Sequence, residues 1–193
     1  MIYWESKPSK ESAAERAYKE EKKLCRQEAI YYVAGRHRTS GQLRKKLKQN
    51  EHDFSTEIIE AVISDLYDDY LFDEEIADTI LRQRRGRKAE SKRALARRLK
   101  HLGVKEDIIS RKLDNHISDF TLYKEYVTRR QTRLLKAYLQ EKDYETRRKL
   151  LYKLYNRSMS KGFSSETIFS FFNSLENNWV KTAFSLILKY NLL

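Results

Sequence analysis

Leucines recur at helical spacing along much of the chain. Leu43 and Leu47 stand four positions apart, and Leu95, Leu99 and Leu102 follow at positions i, i+4 and i+7. An α-helix turns once in about 3.6 residues, so these spacings place the leucines on one face and the charged residues between them on the other. The pattern predicts amphipathic helices whose leucines lie in the core.

One longer frame occurs three times and predicts a repeat. The stretches DFSTEIIEAVISDL, GVKEDIISRKLDNHI and GFSSETIFSFFNSL each contain an apolar marker, a polar or capping residue, an early acid and paired apolar positions. The markers are Phe54, Val104 and Phe163, so the spacings are 50 and 59 residues. Ser55 and Ser164 are expected to cap the helices that begin there. A period of this length suits three short helices per unit.

The other helix starts are predicted from capping residues. Thr39 or Ser40 is expected to cap the middle helix of the first unit, and Asp73 the first helix of the second unit. The third unit is expected to begin near Asp119. A helix over residues 22–35 opens the first unit, with apolar positions at Leu24, Ala29, Ile30 and Val33.

We therefore predict an all-α protein, an elongated tandem array of three three-helix repeats followed by a C-terminal helix. The predicted ranges are 1–21 for a polar N-terminal extension, 22–72, 73–118 and 119–176 for the repeats, and 177–193 for an amphipathic C-terminal helix. The first range is expected to be mobile or to lengthen the first helix. The last is expected to pack back as a capping helix, with partner binding or dimerisation as the alternative.

Composition supports a helical fold and indicates in which cellular compartment the protein is expected. Five glycines and one proline in 193 residues favour helices with tight connections over sheet. Cys25 is the single cysteine, which excludes an internal disulfide, and no charged start followed by an apolar run predicts secretion. No stretch approaches the length of about 18 apolar residues that a membrane-spanning helix needs. We expect a cytoplasmic protein without a membrane span.

Charge is arranged in blocks along the chain, whose net charge is +12. Residues 51–81 hold eleven acids and no Lys or Arg, whereas residues 82–101 hold ten Lys or Arg and only Glu90 as an acid. Residues 121–161 are basic again. The excess predicts a polyanionic partner such as nucleic acid, or an acidic protein or membrane surface. The alternative is that each block is the solvated face of a helix and that the two blocks neutralise one another.

The basic residues fall on the middle helix of each predicted unit and on the connection around Gly86. In the second unit Arg93, Arg97 and Lys100 are expected to face outward, with Arg98 at the edge, and this face can merge with the connection into one patch. The predicted binding residues are Arg44, Lys45, Lys48, Arg82, Arg84, Arg85, Arg87, Lys88, Lys92, Arg93, Arg97, Arg98, Lys100, Arg147, Arg148, Lys153 and Arg157. A repeated basic element suits tracking of a filament or a nucleic-acid backbone, rather than reading of bases at one site.

No group of residues predicts catalysis, a cofactor or a metal. The four histidines, His37, His52, His101 and His116, are dispersed without the companion spacing of a metal site. The stretch around Gly86 lacks the second glycine and the lysine–hydroxyl pair of a phosphate-binding loop. The acidic run over residues 65–75 has no glycine turn of the kind a calcium loop needs. We therefore do not expect an enzyme.

Four stretches, taken in order, resemble the successive signatures of the RecX regulatory proteins. They are EAIYYVAGRHRTSGQLRKKL, FSTEIIEAVISDLYDDYLFDEEIADTILRQR, ALARRLKHLGVKEDIISRKL and RKLLYKLYNRSMSKGFSSETI. The resemblance extends over about residues 24–175. The chain departs from the family where Asp53 and Ser91 stand in place of glycines, and it has two extra residues after Leu47.

The resemblance implies a cytoplasmic bacterial protein built of tandem three-helix repeats. It also implies binding in the groove of the RecA recombinase filament on DNA, with modulation, usually inhibition, of ATP hydrolysis and strand exchange. The expected partners are the RecA filament and DNA of any sequence, and the expected state is a monomer. A general DNA- or RNA-binding helical protein without a recombinase partner is the second hypothesis, and a helical scaffold for other proteins is the third.

Overall fold

The computed structural model describes residues 12–175, and this part of the chain is helical, which confirms the predicted all-α class. Between its helices, Arg38 and Leu71 form a single isolated β-bridge. The helices are α1 Ala13–Val33, α2 Ser40–Lys48, α3 Thr56–Tyr70, α4 Asp73–Gln83, α5 Lys92–His101, α6 Glu106–Asp114, α7 Asp119–Arg130, α8 Thr132–Gln140, α9 Tyr144–Met159 and α10 over residues 165–175, with a 3-10 turn at Gly86–Lys88.

The chain forms two compact units. The N-terminal unit contains the described residues up to Ile76 together with Leu102–Lys105, and the C-terminal unit contains Ala77–His101 and the described residues from Glu106 onward. The division into three repeats remains a prediction. The ranges predicted for the first two repeats contain three helices each, whereas the third contains four, α7 to α10, since the chain breaks at Gln131 and again before α9. The predicted C-terminal helix at 177–193 lies outside the described residues.

The core of the N-terminal unit corrects the predicted face of the first helix. Cys25, Ala29 and Val33 are the buried positions of α1, whereas Leu24 and Ile30 lie on its exposed side. Burial also raises the pKa of the Cys25 thiol to about 11, so this thiol stays protonated near neutral pH. The helix begins earlier than predicted because Ser12 and Glu15 form a capping box. Residues 13–21 therefore lengthen the first helix.

Local capping follows the sequence in three places. Thr39 caps α2 in a capping box with Gln42, and the Ser55 hydroxyl accepts the backbone N–H of Ile58 at 3.3 Å. At α10 the Ser164 hydroxyl accepts the backbone N–H of Thr167 at 3.2 Å. These side chains satisfy N–H groups that have no partner within their own helices.

The prediction for Asp73 is wrong, because its side chain does not cap its own helix. The carboxylate is only 1% exposed and accepts the backbone N–H and the hydroxyl of Ser40, each at 2.7 Å. It also accepts the backbone N–H of Lys105 at 3.2 Å. In the C-terminal unit Asp119 likewise accepts the N–H of Lys92 at the start of α5, at 2.7 Å. In both units, therefore, the first residue of one helix binds the start of an earlier middle helix. Asp73 of α4 binds the start of α2, 33 positions earlier, and Asp119 of α7 binds the start of α5, 27 positions earlier.

The three apolar markers are buried, and each follows a residue with left-handed backbone. The φ angles are 48° at Asp53, 77° at Gly103 and 86° at Gly162. Glycine adopts this conformation without steric cost, and aspartate tolerates it better than most other residues. Asp53 stands where the family pattern has a glycine, and it therefore keeps the same turn before the third helix of the first predicted repeat.

Aromatic rings form part of the core of the C-terminal unit. The ring of Tyr123 meets Phe163 and Phe171 edge to face, with centroid distances of 5.1 and 5.3 Å. The Ser158 hydroxyl donates to the Tyr123 oxygen at 3.2 Å, and burial raises the pKa of this tyrosine to about 12. These contacts hold α7, α9 and α10 together. No helix within residues 12–175 is both long and apolar enough to cross a membrane.

Candidate functional site

The acidic helix α3 is partly neutralised inside its own unit. Arg44 of α2 makes a bidentate ion pair with Glu60, with one N–O distance of 2.7 Å, and Lys22 of α1 lies 2.8 Å from Asp65. The hydrogen bonds from Arg44 hold the pKa of Glu60 below its usual range. Arg44 is therefore engaged by a carboxylate, whereas the neighbouring predicted residues Lys45 and Lys48 are exposed.

The basic connection after α4 is anchored by Glu125 of α7. Arg85 donates to both carboxylate oxygens of Glu125, and the backbone N–H of Gly86 donates to one of them at 2.8 Å. These bonds, the side-chain bond from Arg85 first, lower the pKa of Glu125 to about 2. Gly86 itself has a positive φ of 61°, so it forms the turn here. Arg85 thus positions the connection.

The substitution Glu125→Gln is expected to lower the free energy of unfolding at neutral pH by about 2 kcal/mol, because charge-assisted hydrogen bonds contribute roughly that much. A carboxyl whose pKa is depressed in the folded state stabilises it above the unfolded pKa and loses this effect as pH falls. The gap between native protein and variant should therefore close between the unfolded pKa of about 4.5 and the folded pKa of about 2. Urea unfolding at a series of pH values measures it, and a gap independent of pH contradicts the assignment.

Glu90 is the acid within the basic block, and it is buried between two arginines. Arg98 donates to both of its oxygens at 3.1 Å, and Arg84 lies 3.5 Å away, while Glu90 is 6% exposed. Part of the positive charge of this block is therefore neutralised internally. The Arg84 Nε is buried without a hydrogen-bond partner among the described residues.

The middle helix α5 has the predicted faces. Leu95 and Leu99 are fully buried, whereas Arg93 and Arg97 are exposed. Lys100 is also exposed and lies 3.3 Å from Glu106. The predicted binding residue Lys92 has a different place, because its ammonium group donates to the carbonyl of Leu113 at 2.6 Å.

A basic cleft of about 830 Å³ lies in the C-terminal unit. It brings together residues from the end of α4, the 3-10 turn, the end of α7 and the end of α9. Among the described residues, its lining contains no Asp or Glu. The lining consists of Arg84, Arg87, Lys88, Tyr126, Arg130, Gln131, Arg157 and Lys161.

Hydrogen bonds fix one wall of the basic cleft. The Gln131 amide donates to the Tyr126 oxygen at 2.9 Å and accepts from the Arg157 guanidinium at 2.8 Å. Gln131 occupies the break between α7 and α8, so the interruption of these helices supplies the residue that orients Arg157. Such an arrangement of guanidinium and ammonium groups suits the binding of phosphate oxygens.

The cleft contains some predicted binding residues and excludes others. Arg84, Arg87, Lys88 and Arg157 line it, whereas the exposed face of α5 does not, so the predicted single patch differs from the lining observed. The cleft lining also includes Arg130, Lys161, Tyr126 and Gln131, which were not among the predicted binding residues. Arg130 and Lys161 belong to the basic stretch 121–161, and that charge was their only signal in the sequence.

The other predicted residues lie elsewhere. Arg82 is exposed near the end of α4. Arg147 of α9 stacks on Tyr138, with 4.8 Å between the guanidinium carbon and the ring centroid, while Arg148 and Lys153 line a second, more apolar groove. No group of three or more His, Cys, Asp or Glu within residues 12–175 is placed to hold a metal ion.

Comparisons with known proteins agree on one family. Residues 25–66 match the family model of the first three-helix domain of RecX. The crystal structure of RecX from Lactobacillus salivarius has a TM-score of 0.59 at 21% identity, over 82% of this chain and 98% of that chain. A crystal structure of regulatory protein RecX has a TM-score of 0.58 at 19% identity, over 87% and 79%. No curated protein matches the chain. At these identities the two structures show a shared fold, and the family model matches residues 25–66 of the chain.

Proposed function

We propose that this chain is a member of the RecX family and acts as a non-enzymatic regulator of homologous recombination and DNA repair. It binds the RecA filament on DNA and inhibits its ATP hydrolysis and strand exchange. It acts in the cytoplasm as a monomer, on DNA of any sequence.

The observation that supports this proposal is the basic cleft. Six cationic side chains line it, and Arg87, Lys88, Arg130 and Lys161 have no carboxylate partner within residues 12–175. Binding of phosphates by such a cluster releases counterions, so affinity falls steeply with salt and carries no sequence preference. These are the properties required for contact along the DNA of a filament.

Titration of the protein into RecA on single-stranded DNA tests the proposal. At near-physiological salt, the rate of ATP hydrolysis is expected to fall at protein concentrations well below those that coat free DNA. The reason is that a regulator that recognises the filament binds protein and DNA together, and therefore binds more tightly than a ligand of DNA alone. A rate that changes only once free DNA is coated would favour the second hypothesis, a general nucleic-acid-binding protein.

A double variant distinguishes the contribution of the exposed face of α5 to binding from that of the basic cleft. Reversal of charge at Arg93 and Arg97 leaves the cleft lining unchanged, and Arg98 is left native because its loss would leave the buried Glu90 without its bidentate partner. If the variant inhibits ATP hydrolysis as the native protein does while binding bare DNA more weakly, the α5 face serves free DNA and the filament contact lies elsewhere.

A further inference from the structure

A second surface in the C-terminal unit combines exposed rings with positive charge. A groove of about 600 Å³ runs along α9 and reaches α10, and its walls include Arg148, Lys149 and Lys153 against one acid, Glu145. Tyr152, which is 65% exposed, also lines this aromatic groove. Large exposed apolar side chains of this kind indicate a binding surface.

The rings of the aromatic groove are held in place. The Tyr155 hydroxyl is hydrogen-bonded to that of Ser165 at 2.7 Å, and its ring lies 5.9 Å from that of Phe169, centroid to centroid. Phe169 remains 49% exposed. A rigid ring loses little conformational entropy when another flat group stacks on it, so these rings are preorganised for stacking.

The surface continues along α9 beyond this groove. A smaller cavity of about 250 Å³ shares Arg148 with it and adds Tyr144 and Arg147. Tyr144 is 73% exposed. Rings and cations therefore alternate over several turns of one helix, which is the length of several nucleotides rather than of one small ligand.

Charge decides which partner fits. Three cations against one acid disfavour a basic partner surface. An anionic partner with flat apolar faces satisfies both the cations and the rings. Unpaired nucleic acid has this chemistry, because its phosphates bind cations and its bases stack on aromatic side chains.

We infer that the aromatic groove binds single-stranded nucleic acid by stacking of bases on Tyr152 and Phe169, with the phosphates on Arg148, Lys149 and Lys153. Duplex DNA hides its base faces, so the groove prefers unpaired strands. The basic cleft contacts phosphates only and makes no such distinction. The inference concerns bare nucleic acid and therefore does not depend on recombinase binding.

Fluorescence anisotropy with a labelled oligothymidylate, an abasic strand of the same length and a duplex hairpin tests the groove in the full-length chain. Tyr152→Ala is expected to weaken binding of oligothymidylate by about 5- to 150-fold, since a base stacked on an aromatic side chain contributes about 1–3 kcal/mol. Binding of the abasic strand and of the hairpin should not change. Tyr152→Phe should retain native affinity, because it keeps the ring.

Tyr70→Ala is the matched control, because Tyr70 is an exposed tyrosine beside Asp68 and Asp69 on α3 and should leave all three affinities unchanged. Equal weakening of the three ligands by Tyr152→Ala, or no weakening, overturns the inference. If Tyr152→Ala binds the single strand more tightly than the native protein and has a lower thermal stability, residues 176–193 are the occupant of the groove. This result also overturns the inference. If the native protein sediments as a dimer and Tyr152→Ala as a monomer, a second copy of the chain is the occupant, and the inference is again overturned. Inhibition of RecA by the native protein is measured separately, so the proposed function can stand when this inference falls.

Discussion

Replacement of Gly41 by alanine is expected to destabilise the N-terminal unit strongly, because the backbone of Gly103 lies directly against it. The Gly41 N–H donates to the Gly103 carbonyl at 2.9 Å, and an added Cβ would lie 2.5 Å from the Gly103 Cα and oxygen. Backbone atoms cannot rotate away as a side chain can, so the helix start must move and lose this hydrogen bond. Overpacking in a closed contact costs about 1–3 kcal/mol, and the lost hydrogen bond adds about 1 kcal/mol.

Urea unfolding followed by circular dichroism measures this effect, and Gly35→Ala is the matched control. Gly35 has a φ of 69°, but a Cβ there meets no atom within 4 Å. Its substitution should cost only the strain of left-handed backbone, about 1–2 kcal/mol. A smaller loss of stability for Gly41→Ala than for Gly35→Ala would show that the two glycines do not approach one another in solution.

Reversal of charge at Arg87 and Lys88 is expected to cause the largest loss of nucleic-acid binding. Both side chains line the basic cleft and are exposed, so the double substitution Arg87→Glu and Lys88→Glu should leave the fold intact. Each lost phosphate contact reduces the slope of log affinity against log salt by about 1, so the slope should fall by about 2. At low salt we expect a loss of at least about 100-fold, because each contact contributes about 1 kcal/mol or more and each reversal adds repulsion of similar size.

The salt dependence of binding, measured by anisotropy from low to physiological salt, checks both numbers. Lys23→Glu with Arg26→Glu is the matched control, because it makes the same pair of changes at exposed positions of α1. A protein that binds only through its net charge would lose the same affinity in both double variants. In contrast to Tyr152→Ala, the cleft variant should weaken single strands, abasic strands and duplexes alike, because the cleft contacts phosphates.

Residues close together in the chain accounted for the predictions that held. Ser55 and Ser164 cap the helices they precede, and Phe54 and Phe163 are buried as the repeated frame indicated. The exposed arginines of α5 lie opposite its leucines, as 3.6-residue periodicity requires. Capping and periodicity act within one or two turns, so their effect can be recognised before any tertiary contact is known.

The predictions that failed or were incomplete concern contacts between distant residues. Aspartate is a residue type that commonly caps helices, yet Asp73 binds Ser40, 33 positions earlier, instead of capping its own helix. Leu24 and Cys25 are neighbours on α1, and the packing of α1 on α3 decides which of them is buried. Propensity alone does not distinguish such alternatives, because each is locally satisfactory and tertiary packing selects one.

By itself the sequence determined an all-α chain with basic faces and with a RecX-like order of motifs. Only the tertiary structure decided which cations act together. Arg44 pairs with Glu60 and Arg85 with Glu125, whereas Arg87, Lys88, Arg130 and Lys161 line one cleft to which residues 12–175 contribute no carboxylate. The reason is that helix formation depends on nearest neighbours along the chain. The electrostatic character of a surface depends instead on which distant side chains approach within a few ångströms, and packing of the core sets those distances.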